Sequence, residues 1–329
     1  YRQRILILLL ICSYAMGWGK NATTMEYRSA KTAARSERDL DRAEALALQA
    51  LDMEEHTNDG RVAYFLAIEI YKPRKKWAEM NKMLDIAMSR NPEQSLERPF
   101  KLDDGTVVET IADAVPIYKE QVWFTIHKQA TDLLEVKSYD KALEKINLAK
   151  TILEKADNYV TSAIIYQGLS MLDETTAELE KALSLEPDYL RVLLNVADFA
   201  YIKNDLEKAK EYYKKSLDQI SNDLDLKINI IGNIINIHLG LKEYEEAMVW
   251  GDALLTNHSN NLKAVKILLE IKINMGDYDG AIDLCNQMLD NNPDDLDIYK
   301  ILLEIRINMG DYDSAIDLCN QMLDNNPDD

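Results

Sequence analysis

The sequence is poor in the residues from which most catalytic and metal sites are built. Its 329 residues include 3 cysteines, 4 histidines and 11 glycines. Three cysteines do not make a disulfide framework, and the histidines at positions 56, 127, 238 and 258 lack metal-ligand spacing. The sequence also lacks a glycine-rich phosphate loop, a nucleophile elbow and a Cys-x-x-Cys pair. We therefore expect no cofactor, no metal site and no catalytic residues, and an enzyme is the least favoured class of protein.

Basic residues are also scarce. The chain has 38 Lys and Arg against 57 Asp and Glu, which gives a formal net charge of −19. Residues 262–329 alone hold 5 basic and 15 acidic residues, a net charge of −10. Because binding to phosphates needs a concentrated basic face, nucleic acid is not expected as a partner. The short basic run at 72–76 is interpreted as a solvated turn, with contact to anionic lipid or an acidic partner as the alternative.

The abundant feature is repetition near the end of the sequence. Residues 267–295, ILLEIKINMGDYDGAIDLCNQMLDNNPDD, recur at 301–329 with 27 of 29 positions identical and an offset of 34 residues. An internal period of this size predicts a solenoid, in which each unit buries its apolar face only against its neighbours. Within the unit, apolar residues recur at spacings of three and four in two runs, which predicts two amphipathic helices. Gly276 can close the first helix, and Pro293 stops the second.

This helix–turn–helix unit resembles the tetratricopeptide repeat family. The residues that fit the family pattern are Tyr278, Ala281, Cys285 and Pro293, with Tyr312, Ala315, Cys319 and Pro327 in the next unit. The same register extends upstream and gives eight units, at 24–57, 61–94, 123–156, 156–189, 190–223, 228–261, 262–295 and 296–329. The resemblance implies an all-α, right-handed superhelical solenoid of about eight 34-residue repeats. Two repeats occupy 24–94, an inserted loop occupies 95–122, and six repeats occupy 123–329.

The insertion at 95–122 breaks the repeat pattern. Pro99, the Asp-Asp-Gly sequence at 103–105 and Pro116 mark turns, so a lengthened loop is the simplest interpretation. Insertions in solenoids fall on one face and often carry binding contacts. The alternative is therefore that Phe100 and Ile111 reach into a ligand groove.

In the resembled family, the first helix of each repeat lines a concave channel that binds peptides or partner proteins. Projected onto this sequence, the channel positions are Phe65, Glu69, Lys72, Phe124, His127, Arg191, Asp198, Tyr201, Asn229, Asn236, Lys263, Lys266, Glu270, Asn274, Lys300, Glu304 and Asn308. This mixed polar lining with a few aromatic positions suits peptide recognition by hydrogen bonds and anchors. The resemblance therefore implies a non-catalytic interaction scaffold whose partner is a protein or a peptide.

The apolar residues of the second helix in the unit 296–329 suggest a different class of function. Ile316, Cys319, Met322 and Leu323 lie at helical spacing, and an uncovered face there could stack on another chain. The alternative function is thus a structural protein that forms a homo-oligomer or a polymer. Cys285 and Cys319 occupy the same slot of adjacent units and are interpreted as small buried apolar residues, with a redox pair as the lesser alternative.

The amino-terminal residues predict export or membrane contact. Residues 5–18 are largely apolar and follow Arg2 and Arg4. This run is shorter than the ~20 residues of a membrane-spanning helix and has the form of a secretory signal. The sequence Leu-Leu-Ile-Cys at 9–12 resembles a bacterial lipoprotein box, although Ile11 stands where a small residue is expected. We expect residues 1–23 to be a signal or anchor of an exported or membrane-anchored protein, periplasmic or cell-surface in a bacterium. The alternative is a cytoplasmic protein whose apolar segment covers the first repeat.

Overall fold

The described part of the chain consists of paired α-helices. The structure is a computed structural model, and it describes residues 23–257, 262–293 and 295–325. These ranges contain sixteen α-helices, which we number α1 to α16, and consecutive helices pack as antiparallel pairs. The all-α architecture predicted from the 34-residue period is confirmed. The chain divides into two compact units, the first ending at Glu178 and the second beginning at Leu179.

The helices of the first unit begin with two pairs whose first members are extended by π-helical turns. The helix bounds are α1 Met25–Thr32, α2 Leu40–Leu51, α3 Arg61–Phe65, α4 Trp77–Arg90, α5 Ile111–Glu135, α6 Tyr139–Ile152, α7 Ala156–Gly168 and α8 Leu172–Leu185, and the division of the chain after Glu178 falls within α8. A π-helical segment Ala33–Glu37 continues α1, and another, Leu66–Tyr71, continues α3. Alanine dominates the buried face of α2, which lets neighbouring backbones approach closely.

The predicted loop at 95–122 is a β-hairpin followed by a helix. Strand β1, Ser95–Lys101, pairs antiparallel with β2, Val107–Thr110, and Gly105 supplies the positive φ of the connecting turn. Thr110 then caps α5 in a capping box with Asp113, so this helix begins about three turns earlier than residue 123. Pro116, read from the sequence as a turn residue, lies in the second turn of α5.

The second unit continues the paired helices. Their bounds are α9 Leu190–Ile202, α10 Leu206–Asp218, α11 Leu224–Gly240, α12 Tyr244–Asn257, α13 Leu262–Met275, α14 Tyr278–Asn291, α15 Leu296–Met309 and α16 Tyr312–Asn325. Aspartate side chains cap several of these helices, because their carboxylates accept hydrogen bonds from the free backbone N–H groups of the first turn. Gly276 and Gly310 both adopt φ of +76° where α13 and α15 end, as expected of a closing glycine.

The predicted amino-terminal segment falls almost wholly outside the described residues. Residues 1–22, including the apolar run at 5–18 and Cys12, are not among them. Within the described ranges, none of the helices combines the length and the apolar character needed to cross a membrane.

Candidate functional site

A cavity of about 670 Å³ lies in the first unit, between the first helices of the first two pairs and strand β1. Its wall carries five aromatic rings, from Tyr27, Tyr64, Phe65, Phe100 and Tyr118. Ligand pockets typically measure about 300–1,000 Å³ and combine apolar walls with a few polar groups. The size and the lining of this cavity therefore fit a ligand site.

The aromatic rings form two groups that contact edge to face or at a tilt. The Tyr27 and Phe65 ring centroids are 5.7 Å apart, and those of Tyr64 and Tyr118 are 6.2 Å apart. Phe100 comes from β1 and lies 5.8 Å from Tyr118. Burial raises the phenol pKa values of Tyr27 and Tyr64, so both hydroxyls stay protonated and able to donate hydrogen bonds.

Charged side chains along the cavity wall form an ion-pair network. Arg35 donates to both carboxylate oxygens of Glu69, at 2.8 and 2.5 Å, and also to Glu97 at 3.4 Å. Lys31 donates to the other oxygen of Glu97 at 2.8 Å. The hydrogen bonds to Glu69 raise the pKa of the Arg35 guanidinium, against the opposing effect of burial. Because Glu97 belongs to β1, this network fastens the hairpin to helix α1 and its π-helical extension.

A second polar group lies behind the wall and explains a histidine that the sequence left unassigned. His56 is fully buried, with Nδ1 3.2 Å from Asp59 and Nε2 3.1 Å from the Thr24 hydroxyl. Asp59 also accepts from Arg61 side-chain and backbone N–H groups at 2.7–2.9 Å. Burial acts to raise the pKa of Asp59, but these Arg61 contacts outweigh it and lower the pKa. Since His56 is inaccessible, the arrangement holds the turn before α3 and presents no nucleophile to the cavity.

Arg98 in the cavity wall and Lys72 beside that wall have no acidic partner among the described residues. Lys72 places its ammonium 4.3 Å from the centroid of the Tyr118 ring, and burial lowers the pKa of Lys72. Arg98 lines the cavity from β1 and is exposed. The rest of the basic run at 72–76 is largely engaged, because Arg74 pairs with Asp41 and Glu44. It is therefore not simply a solvated turn.

Sequence comparison assigns the repeats to a family. Sequence models of the tetratricopeptide repeat match residues 190–223 and 273–329. These two segments are tetratricopeptide repeats. A search of curated proteins gives no match.

Among solved structures, similar chains also include tetratricopeptide repeat proteins. One such protein from Parabacteroides merdae is 17% identical, with 62% of this chain and 80% of that chain covered and a TM-score of 0.49. PilF of Pseudomonas aeruginosa is 16% identical, with 64% and 95% covered and a TM-score of 0.48. YrrB, described as a tetratricopeptide repeat protein with an unusual peptide-binding site, is 18% identical, with 58% and 93% covered and a TM-score of 0.38.

The structure brings only part of the predicted channel set to the cavity. Phe65 and Glu69 belong to its wall, and Phe65 is buried rather than open to solvent. Phe124 lies on α5 with 63% of its surface exposed. His127, on the same helix, hydrogen-bonds to the Thr161 hydroxyl at 3.1 Å, so its ring is held by the neighbouring helix pair.

The predicted channel residues of the second unit lie on its first helices, α9, α11, α13 and α15. All of them are exposed except Arg191 and Lys266, which are partly buried. Lys263 donates to the Asn229 side chain, and Lys266 pairs with Asp297 at 2.7 Å. These contacts join the first helices of successive helix pairs within the second unit.

The candidate self-association residues do not share one environment. Ile316 and Leu323 are 59% and 56% exposed on α16. Cys319 is partly buried, and Met322 packs against the core of α13–α16. Cys285 is fully buried as predicted, its thiol pKa is raised to about 11 by burial, and both thiols are free.

Sequence reasoning missed most of the cavity wall. Tyr27 and Tyr64 hold the same position in the units 24–57 and 61–94, and this shared aromatic slot is the signal that could have found them. Of the two insertion residues expected to reach a groove, Phe100 lines the cavity. Ile111, the first residue of α5, is fully buried in the core instead, and its side chain lies beside Gly60.

Proposed function

We propose that this tetratricopeptide repeat protein is a non-catalytic scaffold that binds a peptide or partner protein along the first helices of its repeats. The cavity of the first unit receives one bulky side chain of that partner. The observation that carries the proposal is the cavity itself, about 670 Å³ in volume and lined by five aromatic rings. The TPR fold of the chain is the general support for a protein partner.

The energetics of the cavity suit an anchor residue. Burying a Leu, Ile or Phe side chain contributes about 1.5–3 kcal/mol, and a few well-buried residues carry most of the binding energy of an interface. The exposed guanidinium of Arg98, on strand β1, adds a polar group to the wall that can orient a bound backbone. The exposed polar faces of α9, α11, α13 and α15 supply further hydrogen-bonding groups within the second unit.

Filling the cavity tests the proposal. Ala34 lines the cavity and is partly buried, so Ala34→Phe places a ring in the space meant for the ligand. Ala78→Phe adds the same ring at an exposed position of α4 and is the matched control. Phage-displayed random peptides are selected on the full chain, and their affinities are measured by fluorescence anisotropy. We expect Ala34→Phe to lower the peptide affinity at least tenfold and Ala78→Phe to leave it unchanged. Unchanged affinity in Ala34→Phe would overturn the proposal.

The polar faces of the second unit need a separate variant. Lys266→Glu together with Lys300→Glu reverses two charges on α13 and α15, where both side chains face solvent at least in part. If the partner extends over these helices, longer partners captured by the wild type bind this variant more weakly. Equal binding limits the interface to the first unit.

We also propose that residues 1–23 export the protein or tether it to a membrane. The support is the basic start followed by the apolar run at 5–18. Cell fractionation with a carboxyl-terminal tag tests this directly. Recovery in the membrane or exported fraction is expected, and recovery in the soluble cytosol contradicts it.

Self-association through α16 is the second candidate function. Ile316 and Leu323 are exposed, whereas their equivalents Ile282 and Leu289 on α14 are covered by the core shared with α15. The first helix of another tetratricopeptide repeat is therefore the complementary surface, and a second copy of the chain carries several. Light scattering over a range of concentrations should show assembly that Ile316→Glu abolishes. A monomer at every concentration removes this candidate.

A further inference from the structure

We propose that the cavity selects an acidic segment, in which a bulky apolar side chain enters between the aromatic rings and a neighbouring carboxylate pairs with Lys72 and Arg98. This inference rests on the proposed function and adds the chemistry of the ligand. It concerns the insertion as well as the repeats, because Arg98 and Phe100 both come from β1.

The charges within the wall are balanced except for Arg98, and Lys72 lies beside the wall over the Tyr118 ring. Lys31 and Arg35 face the two carboxylates of Glu69 and Glu97. Arg61 is engaged by the Asp59 carboxylate. Neither Lys72 nor Arg98 has an ion-pair partner among the described residues, so the cavity edge carries an unmatched positive charge. A carboxylate is the complementary group, and charge-assisted hydrogen bonds to lysine or arginine are stronger than neutral ones.

The position of Lys72 makes this excess unfavourable without a ligand. Its ammonium lies over the Tyr118 ring, 4.3 Å from the centroid, and burial is the cause that lowers its pKa. The ring compensates only part of the lost hydration, because a cation–π contact is weaker than a carboxylate partner in such surroundings. An incoming carboxylate would supply the missing partner.

Strand β1 itself places an apolar side chain and a carboxylate next to each other at the cavity wall. Leu96 is 5% exposed in the core, and the next residue, Glu97, gives its carboxylate to Lys31 and Arg35. The same strand continues to Phe100, whose ring packs on Tyr118. The chain therefore presents an apolar side chain beside a carboxylate to one part of the wall. Lys72 and Arg98 would hold a carboxylate of the partner in the same way, with a neighbouring apolar side chain of the partner in the rest of the cavity.

A protein segment fits these features better than a polyanion. Nucleic acid requires many phosphate contacts, whereas two unpaired cations are available here and the chain carries a net charge of −19. The aromatic rings supply a buried apolar surface that phosphates do not use. Selectivity for an acidic peptide thus follows from the aromatic wall of the cavity together with the cations at its edge.

The test uses peptides selected on the full chain by phage display from a random library. The expected sequences carry Asp or Glu within two positions of Phe, Leu, Ile or Trp. A synthetic peptide of this kind, labelled with fluorescein, should lose about tenfold in affinity on Lys72→Gln plus Arg98→Gln. Lys82→Gln plus Lys128→Gln removes two exposed charges of the same unit away from the cavity and is the control.

A double-mutant cycle separates a direct contact from a general charge effect. Replacing the acidic residue of the peptide by its amide should lower the affinity for the wild-type protein about tenfold. The same replacement should hardly change the affinity for the Lys72→Gln, Arg98→Gln protein. Affinity should also fall as salt rises from about 50 to 300 mM, since exposed charge pairs are screened.

Each result decides between the inference and the proposed function. Peptides without acidic residues that still lose affinity on Ala34→Phe would overturn the charge inference and leave the cavity as a ligand site. Acidic peptides that lose equal affinity on the control variant would also overturn the inference, because the effect would then be general. If no selected peptide depends on Ala34, both the inference and the proposed cavity function are wrong.

Discussion

The carboxylate of Glu97 fastens strand β1 to the first helix pair. It accepts from Lys31 at 2.8 Å and from Arg35 at 3.4 Å, and the three side chains are 19–25% exposed. Exposed ion pairs contribute about 0.2–1 kcal/mol, whereas removing one partner of a buried pair costs about 3–5 kcal/mol. Because Arg35 keeps Glu69, we expect Glu97→Gln to lower the free energy of hairpin opening by about 1–2 kcal/mol. This corresponds to roughly 5- to 30-fold more frequent opening.

Hydrogen–deuterium exchange of the hairpin amides measures this opening locally. The amides of 95–101 and 107–110 should exchange faster in Glu97→Gln by that factor, while those of α6 and α7 remain unchanged. Glu109→Gln removes an exposed carboxylate from the same hairpin and is the control. If the hairpin amides exchange at the same rate in Glu97→Gln and in the wild type, the ion-pair network does not hold the hairpin. The same conclusion follows if Glu109→Gln speeds exchange as much as Glu97→Gln does.

The same contact predicts a dependence on pH. Burial acts to raise the pKa of Glu97, but the Lys31 hydrogen bond and the charges of Lys31 and Arg35 outweigh it, so the pKa is lowered from 4.5. A group with a lowered folded pKa stabilises above its unfolded pKa and loses that effect as pH falls through the folded value. The difference between wild type and Glu97→Gln should be full at pH 6 and should shrink as the pH falls below about 4.5. A constant difference down to pH 3 would contradict this assignment.

Three further predictions concern the packing of the helix pairs and the thiols. The fully buried Asn158 accepts from the Trp123 indole N–H at 2.8 Å, so Asn158→Leu should lower the free energy of unfolding by about 1–3 kcal/mol. The cost should fall by at least half in a Trp123→Phe background, as measured by urea unfolding followed by circular dichroism, and an equal cost there would show that the bond is unimportant. Gly60→Ala should lower the free energy of unfolding by about 1–3 kcal/mol, because the added methyl group would lie 2.7 Å from a backbone carbonyl oxygen of α4. A variant whose thermal unfolding temperature equals that of the wild type would contradict this. Mass spectrometry after brief iodoacetamide treatment at pH 8 should find Cys319 modified well before Cys285, whose pKa is raised to about 11 by burial, and the reverse order would contradict the burial of Cys285.

The helix pairs could be predicted because their signal is local and repeated. Tyr278, Ala281 and Cys285 recur 34 residues later, and each copy places small or aromatic residues where two helices meet. Ala281 and Cys285 are accordingly fully buried. The turn at Gly276 was also readable, because a positive φ at a helix end favours glycine.

The hairpin and the cavity could not be predicted with the same means. Strand β1 has an exposed, irregular pattern in which only Leu96 is buried, so period-two alternation gives little signal. Helix α5 passes through Pro116, which normally argues for a helix end. The cavity requires side chains from four separate segments to converge, and Arg35 and Tyr118 are placed there by tertiary packing that a linear pattern does not encode.

The central claim is that the cavity of the first unit buries a side chain of the partner. Hydrogen–deuterium exchange of the full chain, with and without a saturating peptide selected on it, tests this claim most directly. We expect slower exchange in 64–73 and 95–101 when the peptide is bound, and the loss of that protection in Ala34→Phe. Protection confined to the second unit, with unchanged exchange around the cavity, would contradict it.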